Sequence, residues 1–405
     1  MEQKTKFQYS YFIYPFVIGE EKYEKYLARL LKKPNCKLKT FEKEKDLDIY
    51  RFFLPQVREY LFWSFGVQKG KMKDLYDLPE ETRAAILAKH PCNIITYELP
   101  EIVQGKTVDK DGIFFDIRKL EVVCFKTGIC FLIMKTTING EDVVLDDVLN
   151  FNYKFREIHS ELSGLKQYEN IKIQTGMFNT IKEFTGLIKE IAGENTGAKD
   201  LNIDTERFIT YTYACLSQDE WKEENKENLE RNFYKLVQVL PANAQMNFGK
   251  KDEPKKEELN SMLFGFSKAS TVLVTSDKET DNYTKVPHIY ESEYLYAYIF
   301  ALYKKYYLKK LSHEFNTHQD FDKIKNKFLE FTQNVWVQEI TNDEIGDMLS
   351  NHWERKLGGK KAFSELKNKY DILYKDCNIE KTRKTIRIIA FLMVIIIGLL
   401  FLTLK

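Results

Sequence analysis

Apolar and polar positions alternate from residue 7 to 18, with Tyr9, Tyr11 and Ile13 set against Phe12, Tyr14 and Phe16. A period of two predicts a strand, and Gly19 ends it. Residues 20–33 then switch to the three-to-four spacing of an amphipathic helix. A second helix is predicted across 48–65, with Pro55 starting or kinking part of it. The strongest β signal spans Ile113 to Ile138. Two apolar runs there flank Lys126, Thr127 and Gly128, which predicts a hairpin whose Gly128 takes positive φ. Both faces of that hairpin are apolar, so it belongs centrally in a sheet covered on both sides. Asn139-Gly140 supplies a further turn.

Further strands are predicted at 207–216 and 271–275. The charged stretch 219–231 reads as a solvated helix, and 249–258 as an exposed loop. From about Pro287 the helical period takes over. A long helix rich in Tyr and Leu covers 290–315. Thr341, with Glu344 three residues on, forms a capping box that opens another helix, and Gly358-Gly359 closes it. A last helix starts near Lys361 and meets no breaker before an apolar run. The fold class is therefore an α+β domain with a mixed sheet over residues 1–285, then a helical and stalk region over 286–385, then a membrane helix over 386–404.

That final run, 388–404, is seventeen residues without a charge. It reaches about 25 Å, the short end of what a spanning helix needs. Ile388, Phe391, Ile395, Gly398 and Leu402 mark its length. Lys381, Arg383, Lys384 and Arg387 precede it and Lys405 follows, so the flanking charge places the N-terminal body in the cytosol, on a cell membrane crossed once. Snorkelling by Lys384 and Arg387 lets Ile386 enter as well. Ahead of the run, Phe363, Leu366, Tyr370, Leu373 and Cys377 are spaced three and four apart. They make a two-heptad seam, open either to a coiled coil with other copies or to packing on the protein's own helices. The aromatic stretch Tyr9–Gly19 contains Pro15 and has no small-residue cleavage site, so it is a strand rather than a secretory leader.

Composition adds mostly exclusions. A net charge of +2 over 405 residues gives no global basic excess, so nucleic acid is not an expected partner. Six cysteines without a CxxC pair suit free thiols in a reducing compartment. His313 and His318 are five apart and fall on different helix faces. Residues 193–199 (GENTGAK) lack the spacing of a phosphate loop. Asp142, Asp146 and Asp147 follow the hairpin and could ligate a divalent cation or be a solvated acidic turn. Asn282 heads a glycosylation sequon that a cytosolic location makes irrelevant. No nucleophile elbow or papain-type cysteine signature is present, so no catalytic group is assigned and no enzyme is expected.

The order of parts resembles the CorA family of divalent-cation transporters, common in bacteria. The resemblance rests on YFIYPF near the N-terminus, on KLEVVCFKTGICFLIM followed by DVLNFNYKFR, and on YLYAYIFALYKKYYLKKLS. It implies a cytosolic α/β domain, a stalk helix running into the membrane, a homopentamer and metal-ion transport, with a divalent cation as the only implied cofactor. The chain carries no Gly-Met-Asn motif and no second apolar run, so no ion-binding residue carries over. Three functions stay open. The first is an oligomer whose cytosolic domain senses a signal and controls a membrane helix bundle. The second is a tail-anchored binding or scaffold protein, and the third is a membrane-attached enzyme of unfamiliar chemistry.

Overall fold

The computed structural model describes residues 3–64, 75, 77–99, 103–106, 113–158, 172–174, 182–193, 196–245, 255–259, 261–317 and 321–403. Its strands are β1 (Thr5–Val17), β2 (Cys36–Leu38), β3 (Cys92–Tyr97), β4 (Val103–Lys106), β5 (Phe114–Phe125), β6 (Ile129–Ile138), β7 (Lys172–Gln174), β8 (Lys182–Glu183), β9 (Ile209–Leu216), β10 (Lys255–Leu259), β11 (Met262–Phe266) and β12 (Ser270–Ser276). They form one sheet, ordered β10-β11-β12-β9-β1-β6-β5, with β4-β7-β8 continuing beyond one half of β5 and β3-β2 beyond the other. Only β9 and β12 pair in parallel among these described strands, so the sheet is mixed.

The hairpin sits at the centre as its two apolar faces require, with β6 held between β1 and β5. At its turn Gly128 has φ +82°, and a Cβ there would lie 2.1 Å from the Ile18 carbonyl oxygen. That oxygen borders the bond from the Ile18 amide to the Gly128 carbonyl, 2.8 Å long. Glycine is therefore needed twice, for the backbone region and for the close approach.

The alternation on β1 divides the core. Tyr9, Tyr11 and Ile13 enter one hydrophobic cluster, and Phe12, Tyr14 and Phe16 enter the other. The second face is covered by α1 (Tyr23–Leu31), by α4 (Glu80–Leu87), by α5 (Leu145–Arg156), by α6 (Phe184–Ala192) and by α8 (Lys226–Gln238). The first face is covered by α2 (Leu47–Phe52) and α3 (Pro55–Leu61), by part of α7 (Thr196–Asp200), and by the C-terminal helices. Those are α9 (Asp281–Thr284), α10 (Val286–Ile289), α11 (Leu295–Thr317), α12 (Phe321–Asn334), α13 (Glu344–Leu357) and α14 (Gly359–Thr403). Pro55 is the first residue of α3, where its missing N–H has no helical partner to lose.

Helix α11 is buried almost all round, which is why its pattern looks uniformly apolar rather than striped. Tyr303 stacks on Phe125 at 3.6 Å and 5°. Trp353 of α13 donates from Nε1 to Thr271 Oγ1 at 3.1 Å, tying that helix to β12.

Four local expectations change. The charged stretch 219–231 is not one solvated helix: two 3₁₀ turns precede α8, which runs to Gln238 and buries Leu229, Phe233 and Leu236. Its apolar face lies mostly beyond the charged window. The stretch 249–258 does not end as a loop, because Lys255–Leu259 is strand β10 at the sheet edge. Backbone pairing needs no apolar side chains, and charges suit an edge. The cap of α13 is Asp343, whose carboxylate accepts from the Gly346 amide at 2.6 Å, while Thr341 Oγ1 accepts from the Asp343 amide at 3.0 Å. Finally, the long helix opens with a π-helical turn, Tyr290–Tyr294, before α11.

Candidate functional site

A cleft of about 780 Å³ opens where five segments meet. The β1–α1 connection supplies Glu20 and Lys22, α1 supplies Lys25 and Arg29, and Ala192, Gly193, Gly197, Asp200 and Leu201 form a third wall. Lys310, His313 and Glu314 come from α11, and Lys323 and Lys327 from α12. The helical period puts Lys310 and Glu314 on one face of α11 and Lys323 and Lys327 on one face of α12. The lining holds six Lys and Arg side chains against four carboxylates.

Glu20 is the hub. Its Oε1 accepts from Lys310 Nζ at 2.6 Å and from Lys327 Nζ at 3.0 Å. Lys327 also reaches both Glu314 oxygens, at 3.0 and 3.1 Å. Burial alone would raise the Glu20 carboxyl, but the two ammonium groups outweigh it and hold it below the usual range. Burial likewise opposes charge on Lys327, and the two carboxylates reverse that and raise it. Arg29 is fixed by one Nη2 bond to the Ile191 carbonyl, 2.8 Å, and by packing over the Tyr26 ring at 4.9 Å. Gly193 and Gly197 of the GENTGAK stretch line the same cleft as the charged lysines.

A second charged cluster is closed. Glu121 on β5 is 1% exposed. It accepts from the Tyr296 hydroxyl at 2.8 Å and pairs with Lys119 at 3.2 Å and Lys39 at 3.6 Å. Burial pushes its carboxyl up, and those cations with the hydroxyl overcome that and hold it at about 2. Nearby, Glu291 in the π turn accepts from Tyr11 at 3.2 Å and pairs with Lys135.

The α14 helix carries the remaining predicted positions. Phe363 stacks on Trp336 at 4.3 Å and 8°, Tyr370 packs on Phe328 at 4.9 Å, and Leu366 is 1% exposed. Three seam residues are thus covered by the protein's own helices. Leu373 is half-buried, and the side chain of Cys377 lies outside the described ones. From 382 to 393 every residue is exposed, including Arg383, Lys384, Arg387, Ile388 and Phe391. The side chains of Lys381, Ile395, Gly398 and Leu402 lie outside the described ones. Among the described residues no helix is long and apolar enough to cross a membrane.

The weaker candidates resolve simply. Asp146 and Asp147 belong to the first turn of α5, where Asp147 accepts from the Val144 amide at 3.0 Å, and exposed Asp142 meets Lys4 at 3.5 Å. Among the described residues no group of three or more His, Cys, Asp or Glu is placed to hold a metal ion. His313 lines the cleft, and His318 lies outside the described residues. Asn282 is buried and donates to the Ser276 carbonyl, so it offers no sequon to solvent. The cysteines at 36, 92, 124, 130 and 215 are buried free thiols. Sequence reasoning missed the cleft, because Glu20 and Lys327 stand 307 residues apart and no local spacing links them. Compared with models of protein families, with characterised proteins and with solved structures, this chain has no match.

Proposed function

We propose that this is a single-pass membrane protein whose cytosolic α+β body binds a signal in the Glu20–Lys327 cleft and passes it to the membrane helix through α12. One observation carries the membrane part. Ile386, Ile388, Ile389, Phe391, Leu392 and Met393 are each 51–67% exposed. At 100° per residue these six, together with exposed Ala390, are distributed around every side of α14. A stripe would fit a groove on a partner, whereas an apolar surface on every side calls for a surrounding apolar medium. The sequence continues uncharged to Leu404, and the basic residues before the run favour a cytosolic body.

The coupling is short. Lys327 faces the cleft, and the adjacent Phe328 packs on Phe363 at 6.0 Å and on Tyr370 at 4.9 Å. A displacement of α12 by a bound ligand therefore acts on the base of the helix that leaves the body. The covered seam argues against a stalk bundle at this level, since Phe363, Leu366 and Tyr370 pack on the protein's own helices. A homo-oligomer of the CorA-like kind would have to assemble through the segment beyond Tyr370, where Ile372 is 60% exposed.

Alkaline carbonate extraction of membranes from cells expressing the full chain tests the membrane reading. The protein is expected in the pellet. Full recovery in the supernatant overturns the proposal.

A further inference from the structure

We infer that the cleft binds a small anion carrying two or more phosphate groups, which takes the place of the Glu20 carboxylate between Lys310 and Lys327. This rests on the reading of the cleft as the signal site, and it names the class of signal. The first argument is charge. Six cationic side chains face four carboxylates, an excess that one carboxylate-sized ligand would not use up. Among the described residues Lys22 and Lys25 pair with no carboxylate, and Arg29 spends one Nη2 bond on a carbonyl. These three line the same cleft as Lys310 and Lys327.

The second argument is geometry. A single oxygen, Glu20 Oε1, sits within 3.0 Å of two ammonium groups. Two lysines converging on one oxygen, with an arginine in the lining of the same cleft, suit the dense charge of phosphate. Glu20 acts as an internal stand-in. Displacing it leaves Lys327 with Glu314 and leaves Lys310 near the Thr127 carbonyl, so neither lysine loses every partner.

The third argument is size and polarity. About 780 Å³ lies within the range of small-ligand sites, roughly 300–1,000 Å³. Tyr26, the one Phe, Tyr or Trp among the described lining residues, is buried beneath Arg29 and offers no open ring for stacking. Recognition therefore falls on the charged part of the ligand.

The phosphate comes from solution and not from a lipid headgroup. Lys325 of α12 lies over the Tyr374 ring at 5.2 Å, which fixes the level of α12 along α14. Tyr374 is twelve residues before Ile386, about 18 Å of helix. The headgroup layer is only about 5–7 Å thick on each side.

The test is calorimetric titration of inorganic triphosphate into the full-length protein in phosphatidylcholine nanodiscs at low salt. One site per chain is expected. The double variant Lys25→Ala with Arg29→Ala, both at exposed positions, should weaken binding about tenfold or more. Glu20→Gln should tighten binding about threefold or more, because the competing carboxylate is gone. That sign separates a displaced stand-in from general surface attraction. Repeating the titration in nanodiscs containing phosphatidic acid should leave the affinity unchanged, and weakened binding there would assign the cleft to lipid phosphate and overturn a soluble ligand. No binding at millimolar triphosphate, in protein that keeps its melting temperature, overturns the inference. So does weaker binding by Glu20→Gln. If the chain fails to enter nanodiscs, the same titration in buffer still reads the cleft, so loss of the membrane reading and loss of this one are told apart.

Discussion

Helix α14 contains two apolar stretches that meet opposite fates. Over Phe363–Tyr370 the apolar residues fall on one face, and α12 and Trp336 cover them. Over Ile386–Met393 they fall on every face, and no part of the described protein covers them. The two differ little in kind of residue. What separates them is whether a neighbouring element of the same chain presents a matching surface. A stripe can be matched by one helix, and an all-round surface cannot.

The largest expected effect targets the uncovered stretch. Replacing Leu392 and Met393 together by lysine puts two charges in the proposed span, at roughly 3 kcal/mol each for a central position. The variant should move from the carbonate pellet to the supernatant while its melting temperature stays that of the wild type. A parallel loss of melting temperature would show that the stretch packs on the body after all, and the contrast would collapse.

The covered stretch should respond in the reverse way. Leu366→Ala leaves a cavity at a site 1% exposed and should destabilise the body by about 2–5 kcal/mol in denaturant titration. Its membrane partition should not change. A loss below about 0.5 kcal/mol would mean that this stretch of α14 is not packed on the body in the way described.

Covered charge extends the comparison. Glu121 is held at about 2 against an ordinary 4.5. A lowered carboxyl stabilises the folded state fully above its unfolded value, and that stability is lost as pH falls through the folded one. Between pH 4.5 and 2 the wild type should therefore lose about 3 kcal/mol that Glu121→Gln does not lose. Equal acid sensitivity in the two proteins would remove Glu121 from the account. Glu293 has the opposite sign. Burial, with Asp48 and Asp343 nearby, raises it to about 7. Its contribution is present below pH 4.5 and fades as pH rises through 7, so Glu293→Gln should be more stable than wild type at pH 8. Solvent screening limits the gain to about 1 kcal/mol.

The smallest effect belongs to exposed charge. Lys361 and Glu365 pair at 3.9 Å with side chains 84% and 64% exposed. Lys361→Ala should shift the melting temperature by less than about 1 °C. A larger shift would show that the base of α14 is covered by something beyond the described chain.

Much of the scaffold was legible because its signals are local. The two-residue period of β1 announced both of its core faces, side by side. Gly128 announced the central hairpin through a turn that only positive φ closes. Three elements misled for physical reasons. Strand β10 is held by backbone bonds to β11, which charged side chains do not reveal. Helix α8 buries residues that come after its charged opening. The seam of α14 has the same spacing whether its partner is another copy or α12, and only the fold supplies the nearer partner.

The candidate site was hidden for a different reason. Sequence by itself determined the strand and helix periods, the glycine at the hairpin turn, and an uncharged run next to a basic flank. Those follow from backbone geometry and from side-chain transfer between water and apolar surroundings, which act over a few residues. Tertiary structure alone decided that Glu20 lies between Lys310 and Lys327, that Phe363, Leu366 and Tyr370 are covered, and that Glu121 is sealed under Tyr296. Each joins groups far apart along the chain, and charge and packing respond to distance in space rather than to distance in sequence.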